Sequence, residues 1–308
     1  MLVSKSSRTP WLLLAAVGLG IACSQPAEPL SGITAAGEGA APIEAEVPAT
    51  APGSPWTELE PGLEIGEFLS PQLSDIGDSR IHVLRIDPQA FELRLMNASA
   101  SDADELLTAR QWCEREDLVA AINSSMYQTD YRTSVSLMRT RTYTNNPHLT
   151  KDQAVLAFDR LDASVPEVQI IDRECQDFED LGDRYGTLVQ SIRMISCTGK
   201  NVWTQQPKRW STAAIGSDGE GRVLFVHVRS PYTTHDLINI LMKLPLGLTG
   251  AMYTEGGPEA QLFIRGGGQE LEFIGSFETG FMETDSIAMA LPVPNVIGVA
   301  RRSSSTGG

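Results

Sequence analysis

A chain of 308 residues with 42% hydrophobic and 20% charged content is long enough to bury a sizeable core, as one large domain or two small ones. Its 39 acidic residues outnumber 24 basic ones, for a formal net charge of −15. That balance excludes non-specific binding to a phosphate backbone, which needs clustered Lys and Arg to displace counterions, so nucleic acid is not an expected partner.

The chain opens on an export pattern. Lys5 and Arg8 precede the apolar run WLLLAAVGLGIA, a basic head and a hydrophobic middle too short to span a bilayer comfortably. Ala22 then meets Cys23 in a junction that resembles the bacterial lipobox, with Gly20 where its leucine usually stands. Residues 1–22 are expected to be a signal peptide, and Cys23 the acylated amino terminus of a protein anchored to a membrane by lipid alone. Residues 23–55 are rich in Ala, Pro and Glu and free of Lys and Arg; they bury too little apolar surface to offset their ordering entropy and are expected to be a disordered tether.

Residues 56–300 read as one domain. IHVLRID (81–87) and FELRLM (91–96) alternate apolar with polar residues around Pro88, the pattern of a half-buried hairpin. Ser101 and Asp104 have capping-box spacing ahead of a Gly- and Pro-free stretch to Asp117, which predicts a helix there. Strands are expected at LVAAIN, ending at Asn123, and at AVLAFD and EVQII, and a hairpin where DGEG joins STAAIGS to RVLFVHV. YTTHDLINILMKLPLG predicts a second helix, capped by Thr233 or Thr234, with Leu237, Ile238, Leu241, Met242 and Leu244 on one face and Pro245 as its stop. The strand GAMYT then delivers Glu255, and residues 301–308 are expected to be a disordered tail. Many strands and two firm helices predict an α+β domain with a mixed, largely antiparallel sheet. Cys175 and Cys197 flank a loop-like stretch that a disulfide could close in an oxidising compartment, which leaves Cys113 as a buried thiol.

Several mechanisms are excluded. No G-x-S-x-G, GxxxxGK[ST] or HExxH is present, and His82, His148, His227 and His235 lack ligand spacing. No cofactor or metal is indicated, a divalent cation being left open. The sharpest signal is Glu255-Gly256-Gly257: glycines at a strand end allow positive φ and close approach of a ligand to backbone N–H groups, while the strand holds a carboxylate rigidly. A second is AAINSSMYQTDYRTSVSLM (120–138), whose Asn123, Tyr127, Asp130, Tyr131 and Arg132 gather polar and aromatic groups suited to the edges and faces of a sugar ring.

Together these loops carry a resemblance. AINSSMY is similar to the A-x-N-G-G-x-F element of the phosphodiester glycosidase family, YTEGGPEAQL to its strand ending in D-G-G, VQSIRMI (189–195) to its Q-S-G-P-M-L element, and STAAIGSDGEGRVLFV to its R-T-A-x-G strand and hairpin. The four occur in order across about 80–300. The chain departs from the pattern at Ser124, Ser125, Ile192, Arg193, Thr212 and Glu255. The resemblance implies hydrolysis of the glycosidic bond of a phosphodiester-linked sugar. Glu255 would be the acid/base or stabilising carboxylate and Asn123 a substrate-orienting donor. Gly256, Gly257, Tyr127 and Gln190 would bind substrate, and Arg193 or Arg209 would meet the phosphate. Asp130, Glu259, Glu278 and Asp285 are candidates for the second carboxylate. The competing reading is a non-catalytic glycan-binding lipoprotein.

Overall fold

A computed structural model describes residues 54–100 and 105–302. The signal peptide, Cys23, all but the end of the tether, the cap expected at Ser101 and the last six residues lie outside them. Among the described residues no helix is long and apolar enough to cross a membrane.

Among the described residues, three antiparallel sheets make up the α+β fold. A seven-stranded sheet runs in the order Trp56–Glu60, Leu63–Leu69, Arg80–Ile86, Val223–Tyr232, Trp210–Asp218, Leu248–Gly256, Arg193–Ile195. A five-stranded sheet has Tyr185–Ser191 at its centre, between Met138–Arg139 and Ala154–Arg160. Another five-stranded sheet is ordered Gln269–Ile274, Gln261–Gly266, Ala120–Asn123, Asn295–Arg301, Phe91–Asn97.

The period-2 pattern explains the layering. In Val223–Tyr232, Val223 and Phe225 point into a central core shared by all three sheets, with Leu156, Phe158 and Val189 from the second and Ile122, Leu262 and Ile297 from the third. Leu224, Val226 and Val228 point the other way, against Leu237, Ile238 and Leu241 of the helix Thr234–Leu241. Thr233 caps that helix by accepting from the Asp236 amide. One residue departs from the predicted apolar face: Met242, at the C-cap, is 43% exposed, while Leu244 packs against the core. The helix Ala109–Glu116 packs Trp112 and Cys113 against Ala121 and Phe263.

Two expectations fail instructively. The strands Arg80–Ile86 and Phe91–Asn97 both form, but not as a hairpin: the first pairs with Leu63–Leu69 and Val223–Tyr232, the second with Asn295–Arg301. The Pro88 turn carries the chain between sheets, and alternation marks a strand without naming its partner. The first helix is capped by Thr108, reciprocally with Gln111, and not at Ser101; Thr-x-x-Gln is the better capping box because glutamine reaches back to the cap amide. Arg301 closes the last strand and Arg302 pairs with Glu167, so ordered chain runs two residues past the expected boundary.

Cys175 and Cys197 form a disulfide across a separation of 22 residues, and Cys113 is free and buried. By loop-closure entropy, replacing both bridged cysteines with serine is expected to cost about 3 kcal/mol, read as a lower urea midpoint with a somewhat larger m-value, because the uncrosslinked denatured chain exposes more surface.

Candidate functional site

The strand Leu248–Gly256 builds the site. Ala251 and Tyr253 share one face, while Met252 enters the central core. Ala213 pairs with Glu255 and the adjacent Ala214 with Tyr253, so Thr254 is the extra residue of a β-bulge, a device that re-aims the side chains beside it. The chain then makes a 3-10 turn, Gly257–Glu259, and enters the strand Gln261–Gly266 of a different sheet.

Each glycine of the turn has its own cause. Gly257 has φ +68, which disfavours any side chain, and a β-carbon there would stand 2.6 Å from Glu278 Oε2. Gly256 has an extended backbone at φ −138, but a β-carbon on it would lie 2.0 Å from the Tyr253 hydroxyl and 2.8 Å from Trp210 Cδ1. The glycines thus make room for the protein's own side chains, not for a ligand approaching the backbone. Gly256→Ala is expected to push Tyr253 and Trp210 apart, lowering turnover about tenfold or more while an unchanged circular dichroism spectrum shows the fold intact.

A cleft of ≈ 470 Å³ opens over this turn. Its acidic lining is Glu255, Glu259 and Glu278, and its walls include Tyr127, Tyr131, Trp203, Trp210, Tyr253, Met126 and Ile192. Trp203 and Trp210 flank Tyr253, with ring centroids 5.6 Å and 6.4 Å from it. Tyr127 and Tyr131 stand 5.5 Å apart. Glu255 Oε1 accepts from the Gly256 amide at 3.0 Å. Burial raises its carboxyl from the ordinary 4.5 to about 8 against that hydrogen bond, with Glu259 and Glu278 adding to the rise. Burial also raises Glu259, and it raises the Tyr127 and Tyr253 phenols, so both phenols stay protonated. Among the described residues the carboxylate of Glu278 has no hydrogen-bond or ion-pair partner.

Of the residues singled out in the sequence, Glu255, Gly256, Tyr127 and Tyr131 line this cleft, and so do Glu259 and Glu278. The others lie elsewhere. Asn123 is 2% exposed; its Nδ2 donates to the Glu259 carbonyl at 2.9 Å and its Oδ1 accepts from the Gln261 amide at 2.7 Å. It therefore clamps the turn from behind and does not line the cleft. Gln190 is buried and bonds the backbone of Leu137, Thr150 and Asp152. Arg193 is held by Asp172 at 2.6 Å and Glu174 at 2.7 Å, and faces a neighbouring hollow beside Trp203. Arg209 pairs with Asp75 at 2.5 Å in another. Asp130 caps its own loop by accepting from the Arg132 and Thr133 amides, and Asp285 pairs with Arg229.

Sequence reasoning missed Tyr253, Trp203 and Trp210. Tyr253 stood out only as an aromatic near Glu255, because the bulge at Thr254 breaks the alternation that would otherwise set its face. Trp210 stands two places before Thr212, the residue opposite Gly256, a relation visible only once the strands are paired.

Aromatic walls over a floor of carboxyl groups, one of them protonated near neutrality, suit a saccharide, whose C–H faces stack on rings and whose glycosidic oxygen accepts a proton. The fold is thus a three-sheet α+β scaffold carrying an aromatic-walled, acid-floored cleft. The model of the phosphodiester glycosidase family matches residues 116–300, and the chain belongs to that family. Its fold is similar to that of the zebrafish N-acetylglucosamine-1-phosphodiester alpha-N-acetylglucosaminidase catalytic domain auto-inhibited by pro-peptide, with TM-score 0.56 and 12% identity over 79% of this chain and 85% of that one. It is also similar to a hypothetical protein from Synechocystis, with TM-score 0.54 and 14% identity over 82% of this chain and 64% of that one. No curated protein matches by sequence.

Proposed function

We propose that the chain is an exported envelope hydrolase that breaks the C1–O glycosidic bond of a sugar bound in the Glu255 cleft. Family membership supports a phosphate-linked sugar as the substrate, and the export pattern with Cys23 supports a lipid-anchored location. The observation that carries the glycosidase reading is Glu255, a carboxyl held protonated by burial on a rigid strand, facing an aromatic-walled cleft.

In this reading the Glu255 carboxyl gives its proton to the leaving oxygen as that oxygen takes the electron pair of the C1–O bond. Water bonds to C1 and yields a proton to the unpaired carboxylate of Glu278, or of Glu259, so that one water is consumed and both carboxyls are reset by exchange with solvent. The aromatic walls position the ring and exclude bulk water.

The test is hydrolysis in ¹⁸O-labelled water, with sugar-1-phosphate diesters and O-glycosides as substrates and mass spectrometry of both products. Glycosidic cleavage puts the label on the sugar. Label in a phosphate product, or glycan binding with no turnover of either series, contradicts the proposal; the latter outcome would be that of a glycan-binding module.

A further inference from the structure

The charges of the cleft bear on which glycosidic bond it takes. Three carboxyl groups line it, and among the described residues no Lys, Arg or His does. The arginines that the family resemblance would assign to a phosphate, Arg193 and Arg209, are committed to Asp172, Glu174 and Asp75 and line other hollows. Arg132, next to the lining residue Tyr131, donates to the Tyr131 carbonyl at 3.0 Å and is not itself a lining residue.

A second observation is independent of the acids. The Tyr253 side chain lines the cleft, yet the residue is only 5% exposed and its hydroxyl has no hydrogen-bond partner among the described residues. The buried indole N–H of Trp210 is also unpartnered. That N–H is sealed from the cleft, so the Tyr253 hydroxyl is the donor the site offers to a ligand. A hydroxyl that opens on the cleft and has no protein partner is available to donate to an acceptor oxygen of a ligand. A neutral donor holds an uncharged oxygen without having to offset a net charge.

Resting on the glycosidase reading, we propose that the group leaving from C1 is an uncharged sugar or alcohol oxygen, so that the substrate is an O-glycoside and not a phosphodiester, with Tyr253 contacting it as a hydrogen-bond donor. The proton held on Glu255 fits the same conclusion. An alkoxide is a poor leaving group and needs a general acid, whereas a phosphate leaves readily without one. A phosphodiester would also bring its negative charge among Glu259 and Glu278 with no lining cation to offset it. In the step, the departing oxygen receives the C1–O electron pair and the Glu255 proton and leaves as a neutral alcohol, while water supplies the new C1 hydroxyl.

The experiment sets matched O-glycosides and 1-phosphate methyl diesters of the same panel of sugars against the intact protein. It measures kcat/KM and, independently of turnover, binding by saturation-transfer NMR with neutral oligosaccharides and sugar 1-phosphates as probes. The proposal expects kcat/KM at least about tenfold higher for the O-glycoside at equal sugar, and binding of the neutral probes alone. Tyr253→Phe should lower kcat/KM for the O-glycoside about tenfold with an unchanged fold, and Glu278→Gln should raise affinity for sugar 1-phosphates several-fold. Faster turnover or tighter binding of the phosphate series overturns this inference and leaves the glycosidase reading standing. Neutral-probe binding without turnover in either series overturns the glycosidase reading but not the charge preference of the cleft. No binding of either probe overturns both.

Discussion

Glu255→Gln is expected to lower kcat by about 10²–10⁴, the usual contribution of a positioned general acid, while making the protein more stable at neutral and alkaline pH. The two effects share one cause. In the folded protein the carboxyl is raised from 4.5 to about 8 by burial first, then by Glu259 and Glu278. Between those values the folded state holds a proton that the unfolded state has released, so stability falls as pH rises through the window and levels off above it. An uncharged amide of similar shape removes that penalty. After discounting for the partial exposure of the site, a gain of about 2–3 kcal/mol above pH 8 and little difference below pH 4.5 are expected. Thermal melts of both proteins across this range check the sign. A carboxylate that was simply paired or solvated would give the opposite slope or none, and its replacement would not trade activity for stability.

Asn123→Ala is expected to destabilise the fold by about 1–3 kcal/mol, because it strands the buried Gln261 amide and removes one of the two donors to the Glu259 carbonyl, the other being Gln261 Nε2. Turnover should fall with it, since the clamped turn carries Glu259 and follows directly on Glu255. Asn123→Asp separates the two jobs of the amide: the carboxylate still accepts from Gln261 but cannot donate to Glu259, and it adds a buried charge. A residue that touched substrate would show a large kinetic loss at full stability. A clamp loses both together, by urea denaturation and by kcat measured on the folded fraction.

Much of the scaffold was legible in the sequence. Period-2 alternation located Arg80–Ile86 and Phe91–Asn97, short apolar runs located strands such as Ala154–Arg160 and Trp210–Asp218, and Thr233 with its apolar face located the second helix. Which strands pair was not legible, because Arg80–Ile86 and Phe91–Asn97 alternate alike and yet lie in different sheets. The site follows the same division. Glu255 and Gly257 stand out because a strand-end acid and a positive-φ turn are local properties. The surroundings of Asn123, Gln190, Arg193 and Arg209, which lie off the cleft, were not legible because reach is not local: each side chain bonds partners that adjoin it only in the folded chain. Tyr253 and Trp210 illustrate the converse, as ordinary core-type aromatics in sequence that become cleft walls because Gly256 leaves space between them.

The measurement that reaches the central claim most directly is the pH dependence of kcat/KM for whichever glycoside series the protein turns over. Glu259 and Glu278 face Glu255 from the turn and from the loop after Gln269–Ile274, and Tyr127, Tyr131 and Tyr253 complete the titratable lining. Since Glu255 acts in its protonated form, activity should persist through neutrality and fall on the alkaline side with a midpoint near 8, and Glu255→Gln should abolish that limb along with most of the rate. An activity that instead rises through about 4.5 and stays flat beyond 8, or a Glu255→Gln variant that keeps the wild-type rate, would contradict the account.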